Sequence, residues 1–191
     1  MTIKRYVAAL AASVIVAALC AGAAVAAEKP FVLTSKTFRD GAMMPRKLAN
    51  DTKGNPNCVG QNISPELSWR NAPADTKSFA LVMVDLEARA GLRFFHWVAY
   101  GIPASVTSFK EGEVSAPSDK YVGGRSTLGV GFYSGPCVPP GTPHHFSFVV
   151  IATDLDPKAL PPGLTYPELM EKLEGHAKRA AGIIGRFVAP G

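Results

Sequence analysis

Five apolar runs, separated by connections rich in glycine, proline and polar residues, set the pattern of this chain. Residues 78–85 form a continuous apolar run that ends in an acid, which is typical of a strand buried on both faces. Residues 94–101 and 145–152 are rich in aromatic and apolar side chains, as strands are. Shorter runs at 31–35 and 183–188 open and close the series. The pattern therefore predicts a chain built mainly from β-strands.

One segment has the period of a helix instead. Thr165, followed three residues later by Glu168, forms a capping-box motif, and Leu169 and Leu173 lie one turn apart on one face. Gly175 is placed to end this helix. Many strands with long irregular connections, and one or two helices near the C-terminus, predict an antiparallel β-sandwich. The chain lacks the regular strand–helix alternation that is typical of a parallel sheet.

Four polar side chains interrupt or adjoin the apolar runs. Asp85 ends the first long run, Glu87 lies two residues further on, His96 lies inside the second, and His144 directly precedes the third. Burying even a neutral polar group without partners costs about 2–7 kcal/mol. We therefore expect these side chains to satisfy one another around a common pocket.

Strand alternation assigns His96 to one face of its strand, together with Phe94, Val98 and Tyr100. In the functional interpretation, Asp85 orients His96 and favours its charged imidazolium form, which suits an anionic guest. The alternative is a core histidine bonded to a backbone carbonyl, with the acids forming a solvated strand end.

The loop at 129–141 is rich in glycine and proline around Cys137. Because such a loop carries few side chains, its backbone N–H groups can form a concave anion-binding nest. A purely structural loop is the alternative. His144 and His145 follow it and point to opposite faces of a regular strand, so we assign His144, which adjoins the loop, to the pocket.

The first 27 residues predict a cleaved export signal. Lys4 and Arg5 precede a stretch rich in Ala, Val, Leu and Ile, and small residues at 24–27 fit a cleavage site. The alternatives are an uncleaved membrane anchor and a lipid-modified Cys20, which the bulky Leu19 disfavours. We expect a single domain over 28–191, without a membrane span, in the periplasm or outside the cell.

The mature chain is mildly basic and keeps two cysteines. Loss of Lys4 and Arg5 lowers the formal net charge from +5 to +3, and no basic run supports nucleic-acid binding. An even cysteine pair in an oxidising compartment predicts a disulfide between Cys58 and Cys137. Two free buried thiols are the alternative.

Catalytic signatures are weak. Ser134 lies one place late for the G-x-S-x-G elbow of a serine hydrolase. Asp85, His96 and His144 could ligate a metal, but the chain lacks a local ligand pair of the H-E-x-x-H type. Asp85 and His96 could act as general acid and base, although no nucleophile accompanies them. We therefore expect a protein without a cofactor and without an enzymatic activity.

Ordered motifs span nearly the whole mature chain. The sequence reads C-V-G-Q-N-I-S-P at 58–65, then D-L-E-A at 85–88 and H-W-V-A-Y-G-I-P at 96–103. It continues with G-P-C-V-P-P-G-T-P-H-H-F at 135–146 and G-H at 175–176. In this order the motifs resemble the phosphatidylethanolamine-binding protein family, and more narrowly its bacterial branch similar to Raf-kinase inhibitors.

The resemblance implies a β-sandwich with a small cavity for phosphate-bearing or other anionic head groups. Asp85, His96 and His144 match the pocket positions of the family, and the backbone around Gly135 and Pro136 matches its anion-holding wall. The roles known for the family are ligand binding and the inhibition of kinases or proteases.

Three positions depart from the family pattern. Leu86 stands in place of a proline. Glu87 stands in place of an aspartate, and its extra methylene moves the carboxylate outward, toward the rim of the pocket. Phe146 stands in place of a tyrosine and lacks the hydroxyl donor, which predicts weaker or altered anion binding.

The sequence thus predicts an exported protein that binds a small anionic or phosphate-bearing ligand, with inhibition of another protein as a further role. One alternative is a hydrolase of small esters that uses Asp85 and His96. The other is a protease or kinase inhibitor whose pocket is vestigial. The pattern gives no prediction of the oligomeric state.

Overall fold

The computed structural model of this chain describes residues 29–191, and the predicted export signal at 1–27 lies outside the described residues. Strands and one α-helix follow one another along the described part. They are β1 Val32–Thr34, β2 Leu67–Arg70, β3 Ser78–Asp85, β4 Phe94–Pro103, β5 Ser108–Phe109, β6 Val122–Gly123, β7 His144–Thr153, α1 Tyr166–Leu173 and β8 Ala177–Phe187. A 3-10 turn, Arg46–Leu48, lies between β1 and β2.

The strands form two antiparallel sheets. The larger sheet has the order β6-β4-β3-β7-β8, and the smaller has the order β1-β2-β5. Strand β3 lies in the middle of the larger sheet, and every one of its residues is buried. A continuous apolar run is what a strand covered on both faces requires. The arrangement confirms the predicted antiparallel β-sandwich.

Two apolar layers cover the faces of the larger sheet. The layer between the two sheets contains large buried side chains, among them Trp69, Phe79, Leu81, Met83, Trp97, Phe109, Phe146 and Phe148. The layer on the opposite face packs under α1 and contains Ala80, Val82, Val98, Tyr100, Leu169 and Leu173. Full burial of one such large side chain stabilises the fold by about 1.5–3 kcal/mol. Packing on both faces is therefore the main source of stability.

Helix α1 follows from its local sequence. Thr165 and Glu168 form the expected capping box, and Leu169 and Leu173 are the buried side chains of the helix. Gly175 lies just beyond the C-cap with a φ of 78°, a left-handed conformation that glycine adopts at little cost. The helix therefore begins and ends where the sequence pattern predicts.

Strand boundaries are less well predicted at the sheet edges. The pattern gives β3 its observed bounds, but it begins the last strand at residue 183, whereas β8 begins at Ala177. Residues 177–182 are small or charged and mostly exposed, because β8 is an edge strand. The short strands β2, β5 and β6 carry no apolar run long enough to predict them.

The register of the larger sheet brings three strand ends together. Asp85, the last residue of β3, pairs with Phe94 on β4 and with Phe146 on β7. His96 lies two residues along β4, and His144 lies two residues before Phe146. Consequently the polar side chains singled out in the sequence collect at one end of this sheet.

Candidate functional site

A cavity of about 390 Å³ opens at that end of the larger sheet. Its volume lies within the range typical of small-molecule sites, about 300–1,000 Å³. The predicted residues that line it are Asp85, His96, Gly135 and His144, together with both cysteines, Cys58 and Cys137. The structure thus places these side chains in one concave site.

His96 reaches the cavity through a β-bulge. Met83 pairs with Trp97 and Val84 pairs with Phe95, so that His96 is an extra residue on β4. Its ring packs edge-on against Phe146, with 5.2 Å between ring centroids, on the side of the sheet that Trp97 also occupies. The prediction that His96 shares a face with Val98 and Tyr100 is wrong, since these two lie in the opposite layer. Its grouping with Phe94 agrees with the structure, because the two rings lie 4.8 Å apart and both line the cavity.

The His96 ring is held by a backbone carbonyl. Its Nδ1 lies 2.8 Å from the carbonyl oxygen of Ser134, and only 5% of the residue is exposed. Because a carbonyl only accepts, Nδ1 carries the hydrogen in this bond. Burial lowers the pKa of His96 to about 4, although the Ser134 carbonyl and the Asp85 charge act to raise it.

His96 is therefore a neutral imidazole at physiological pH. Its Nδ1 donates to Ser134, which leaves Nε2 as a hydrogen-bond acceptor for a guest in the cavity. The predicted imidazolium is wrong, because desolvation of the charged ring outweighs the nearby carboxylate.

Asp85 is a buried carboxylate with every oxygen engaged. Oδ1 accepts the backbone N–H groups of Glu87 and Ala88, both at 3.0 Å, and thereby shapes the turn after β3. Oδ2 accepts from Nδ1 of His144 at 2.8 Å. The expectation that Asp85 orients His96 is wrong, since it orients His144 instead.

Glu87 and His145 form a second acid–histidine pair outside the cavity. Glu87 accepts the backbone N–H of His145 at 2.8 Å, and its other oxygen lies 2.6 Å from His145 Nδ1. Desolvation raises the pKa of Glu87, but these bonds to His145 outweigh it, so the pKa is lowered overall. Glu87 is not among the residues that line the cavity, but one of its donor atoms lies within 4.8 Å of donor atoms of Asp85 and His144, which agrees with an outward position beside the rim.

The glycine- and proline-rich loop forms one wall, although not by the expected backbone donors. The N–H of Gly135 is already used, because it donates to Asn62 Oδ1 at 2.8 Å. The carbonyl of Pro136 accepts the N–H of Asn50 at 2.8 Å, and Pro136 does not line the cavity. Gly135 is needed for close packing, since a Cβ there would lie 2.0 Å from the carbonyl oxygen of Leu48.

A disulfide joins the two loops that wall the cavity. Cys58 and Cys137 are bonded, their Cα atoms lie 4.5 Å apart, and 79 positions separate them in the chain. Both cysteines line the cavity. The bond therefore fixes the segment that follows Asn50 against the glycine- and proline-rich loop.

Several cavity residues carry no signal in the sequence. Asn50, Thr52 and Asn55 line one side, and Arg89 and Leu128 line the mouth. Asn50 is buried and organises its side of the cavity, since its side chain bonds both Ser134 and Thr52. These residues come from three separate loops; Arg89 lies four residues after Asp85, and Leu128 directly precedes the loop at 129–141.

One group of possible metal ligands lies at the site among residues 29–191. Single donor atoms of Asp85, Glu87 and His144 all lie within 4.8 Å of one another. The set considered from the sequence, with His96 as third ligand, is not the one that converges. Each of the two carboxylates already accepts from a histidine.

Comparison with known proteins decides the family. Residues 34–188 match the family model described as phosphatidylethanolamine-binding protein. The chain belongs to the phosphatidylethanolamine-binding protein family. This membership confirms the resemblance carried by the motifs from Cys58 to His176.

Similar family members are found in several organisms. A protein of Aquifex aeolicus named UPF0098 protein is 33% identical over 155 residues, which is 80% of this chain and 85% of that protein. LppC of Mycobacterium tuberculosis, whose name describes a lipoprotein, is 32% identical over 162 residues, covering 84% of this chain and 74% of LppC.

A solved structure of the family has the same fold. Escherichia coli YbcL, described as a new member of the mammalian PEBP family, superposes with a TM-score of 0.73 at 27% identity. The match covers 84% of this chain and 99% of YbcL. Members of this family are in general binding proteins and not enzymes.

Phe146 packs against a residue of the cavity. The residue is fully buried, and its ring contacts His96 without being part of the cavity lining. A tyrosine here would add a hydroxyl to a ring that packs against His96. The sequence-based expectation of weaker anion binding stays a prediction.

We expect Phe146→Tyr to strengthen binding of a phosphate ester by up to about tenfold, because a hydroxyl that bonds a charged group contributes about 1.5 kcal/mol. Titration calorimetry with phosphoethanolamine measures the change. Phe148→Tyr is the matched control, since Phe148 lies two residues along β7 and contacts Phe38 instead of His96. An unchanged affinity in a folded Phe146→Tyr protein would contradict the expectation.

Proposed function

We propose that this chain is an exported binding protein whose cavity holds the phosphate group of a small anionic ligand or lipid head group. One observation carries the proposal. The rings of His96 and His144 line the same cavity, and in each ring Nδ1 is fixed by a protein acceptor. That arrangement leaves two Nε2 atoms for a guest, at positions set by rigid strands.

The protonation of His96 determines which phosphate species fits. A neutral His96 whose Nδ1 donates to Ser134 offers Nε2 only as an acceptor. A phosphate monoanion still carries one P–OH group and can donate to that nitrogen, whereas a dianion cannot. Binding of a phosphate monoester therefore holds a proton at the Nε2–phosphate contact.

We expect the affinity for a phosphate monoester to fall as the pH rises above about 6, where the second proton of phosphate is lost. Because His96 has a pKa of about 4, it supplies no proton in this range, and the loss approaches about tenfold per pH unit. Asp85, His144 and Arg89 are the other charged or titratable groups that line the cavity. Calorimetry in buffers of different ionisation enthalpy measures the proton uptake.

The same experiment carries its own control. In His96→Gln the side-chain amide can donate as well as accept, so we expect the pH dependence to flatten while some affinity remains. A wild-type affinity that is equal at pH 6 and pH 8, with no proton taken up, would contradict the proposed contact.

Export is part of the proposal. It is supported by the predicted signal at 1–27, by the disulfide between Cys58 and Cys137, and by the lipoprotein name of LppC. Among residues 29–191, no helix combines the length and apolar composition needed to cross a membrane. N-terminal sequencing of protein recovered from the cell envelope tests this part.

The geometry of the site does not favour the alternative hypothesis of ester hydrolysis. The hypothesis needs Asp85 to activate His96, but Asp85 bonds His144 instead. The nearest serine, Ser134, is buried, and its hydroxyl accepts from Asn50 at 3.0 Å. Turnover of phosphate or carboxylate esters that disappears in His96→Ala would nevertheless overturn a pure binding function.

Inhibition of another protein stays a prediction about the same chain. If the cavity takes part, His96→Ala should weaken inhibition together with ligand binding. If the cavity is vestigial, inhibition should survive in that variant while phosphate binding is lost.

A further inference from the structure

Arg89 places a permanent positive charge at the mouth of the cavity. It is the one Lys or Arg among the described residues that line the cavity, and it is exposed. Within residues 29–191 its guanidinium has no ion pair or side-chain hydrogen bond, because the neighbouring acids Asp85 and Glu87 are each taken by a histidine. Arg89 therefore has its full bonding capacity available for a guest.

The backbone conformation of the loop determines the direction in which the Arg89 side chain starts. Arg89 and Ala90 have φ values of 55° and 57°, and Gly91 continues the left-handed stretch at 88°. Backbone bonds close this turn: the Gly91 N–H donates to Glu87, and the Arg93 N–H donates to Ala88, both at 3.1 Å. Because this turn is tight and hydrogen-bonded, the Cα–Cβ bond of Arg89 can point in few directions.

A second charged group on the ligand would meet different partners in the cavity according to the sign of its charge. An ammonium group would find little free acceptor capacity on Asp85, since Oδ1 accepts two backbone N–H groups and Oδ2 accepts from His144. It would also meet the repulsion of Arg89. A carboxylate, in contrast, could accept two parallel N–H bonds from the free guanidinium.

From this asymmetry we infer that Arg89 selects the ligand class: the cavity prefers phosphate monoesters that carry a second negative group over those that are neutral or cationic beyond the phosphate. The inference rests on the proposed function, because it needs the phosphate group in the cavity. It runs against a zwitterionic head group such as phosphoethanolamine as the preferred ligand.

Two probe ligands differ only in the group that would contact Arg89. 3-Phosphoglycerate and glycerol 3-phosphate share the phosphate and the hydroxyl-bearing carbon, and they differ by a carboxylate against a hydroxymethyl group. We expect the purified protein at low ionic strength to bind 3-phosphoglycerate about fivefold more tightly, as suits one partly exposed charge pair of about 1 kcal/mol. Added salt should reduce this ratio.

Variants at two arginines of one loop test the assignment. Arg89→Gln should bring the ratio of the two affinities close to one, and Arg89→Lys should keep part of the preference. Arg93→Gln is the matched control. Arg93 is also exposed, and its backbone is also in the left-handed region, with a φ of 68°. However, it lines a separate groove beside Val84 and Phe95, on the other face of the sheet. This control should keep the wild-type ratio.

The outcomes separate the two proposals. If neither probe binds, the proposed phosphate function is overturned, and the role of Arg89 is overturned with it. If both probes bind wild type equally, or if Arg89→Gln and Arg93→Gln change the ratio alike, the role of Arg89 is overturned while phosphate binding stands. The role of Arg89 would also be overturned if phosphoethanolamine bound more tightly than both probes.

Discussion

Replacing Cys58 and Cys137 together by alanine is expected to lower the free energy of unfolding by about 4 kcal/mol. The two cysteines are separated by 79 positions, and cross-linking so long a loop removes much conformational freedom from the unfolded chain. Urea unfolding of the purified protein at neutral pH measures the loss. It should be the largest stability effect of any change at the site.

Reduction provides the control for this effect. Wild type in the presence of a strong reductant should unfold at the same urea concentration as the double variant, and the variant should not respond to the reductant. Equal unfolding midpoints for oxidised and reduced wild type would contradict the expectation. Because both cysteines line the cavity, phosphate titration of the reduced protein also reports whether the wall keeps its shape.

The free energy of unfolding is expected to fall by about 3 kcal/mol between pH 7 and pH 4 because of His96 alone. In the unfolded chain this imidazole takes a proton near pH 6.5, but in the fold its pKa is about 4. Between these values the unfolded state binds more protons, so stability rises with pH in this window. The full contribution is present above pH 6.5 and is lost as the pH falls through about 4, at 1.36 kcal/mol per unit.

Measurements between pH 6.5 and pH 5 isolate the histidine. The folded-state pKa values of Glu87, Glu111, Glu113, Asp154 and Glu168 are lowered, so these acids cost stability only at more acidic pH. His96→Gln should remove the slope in this window. His176→Gln, at an exposed histidine far from the cavity, should keep it. A flat wild-type curve would show that His96 is not held neutral by burial.

The two expectations concern the same piece of structure. Ser134 accepts from His96, and Cys137, three residues later, is tied to Cys58. The loop that holds the His96 ring is therefore the loop that the disulfide anchors. We expect reduction to weaken the pH dependence as well as the stability, since a looser loop would admit water to His96.

Local sequence determined the elements with local causes. The bounds of β3 follow from a continuous apolar run, and α1 follows from the capping box of Thr165 and Glu168 with Leu169 and Leu173 on one face. The family also follows from sequence, because its motifs are short and keep their order. Each of these patterns is contained within a short segment of the chain.

The pairings at the site have no local cause. His96 turns to the inner face only because β4 is one residue longer than β3 at that point, and a bulge exists only between two strands in register. Asp85 meets His144 and not His96 because its Oδ2 faces β7. Alternation along a single strand contains neither fact.

By itself, the sequence determined a mainly β fold, its family, and the set of polar residues that would gather at one end of a sheet. Only the tertiary structure decided their roles: a neutral His96, an Asp85 committed to His144, a Gly135 whose N–H is already used, and a free Arg89 at the mouth. The physical reason is that charge state and hydrogen-bond partner depend on burial and on distances between segments far apart in the chain. The sequence pattern shows which polar side chains need hydrogen-bond partners, whereas the fold determines which partners they bond to.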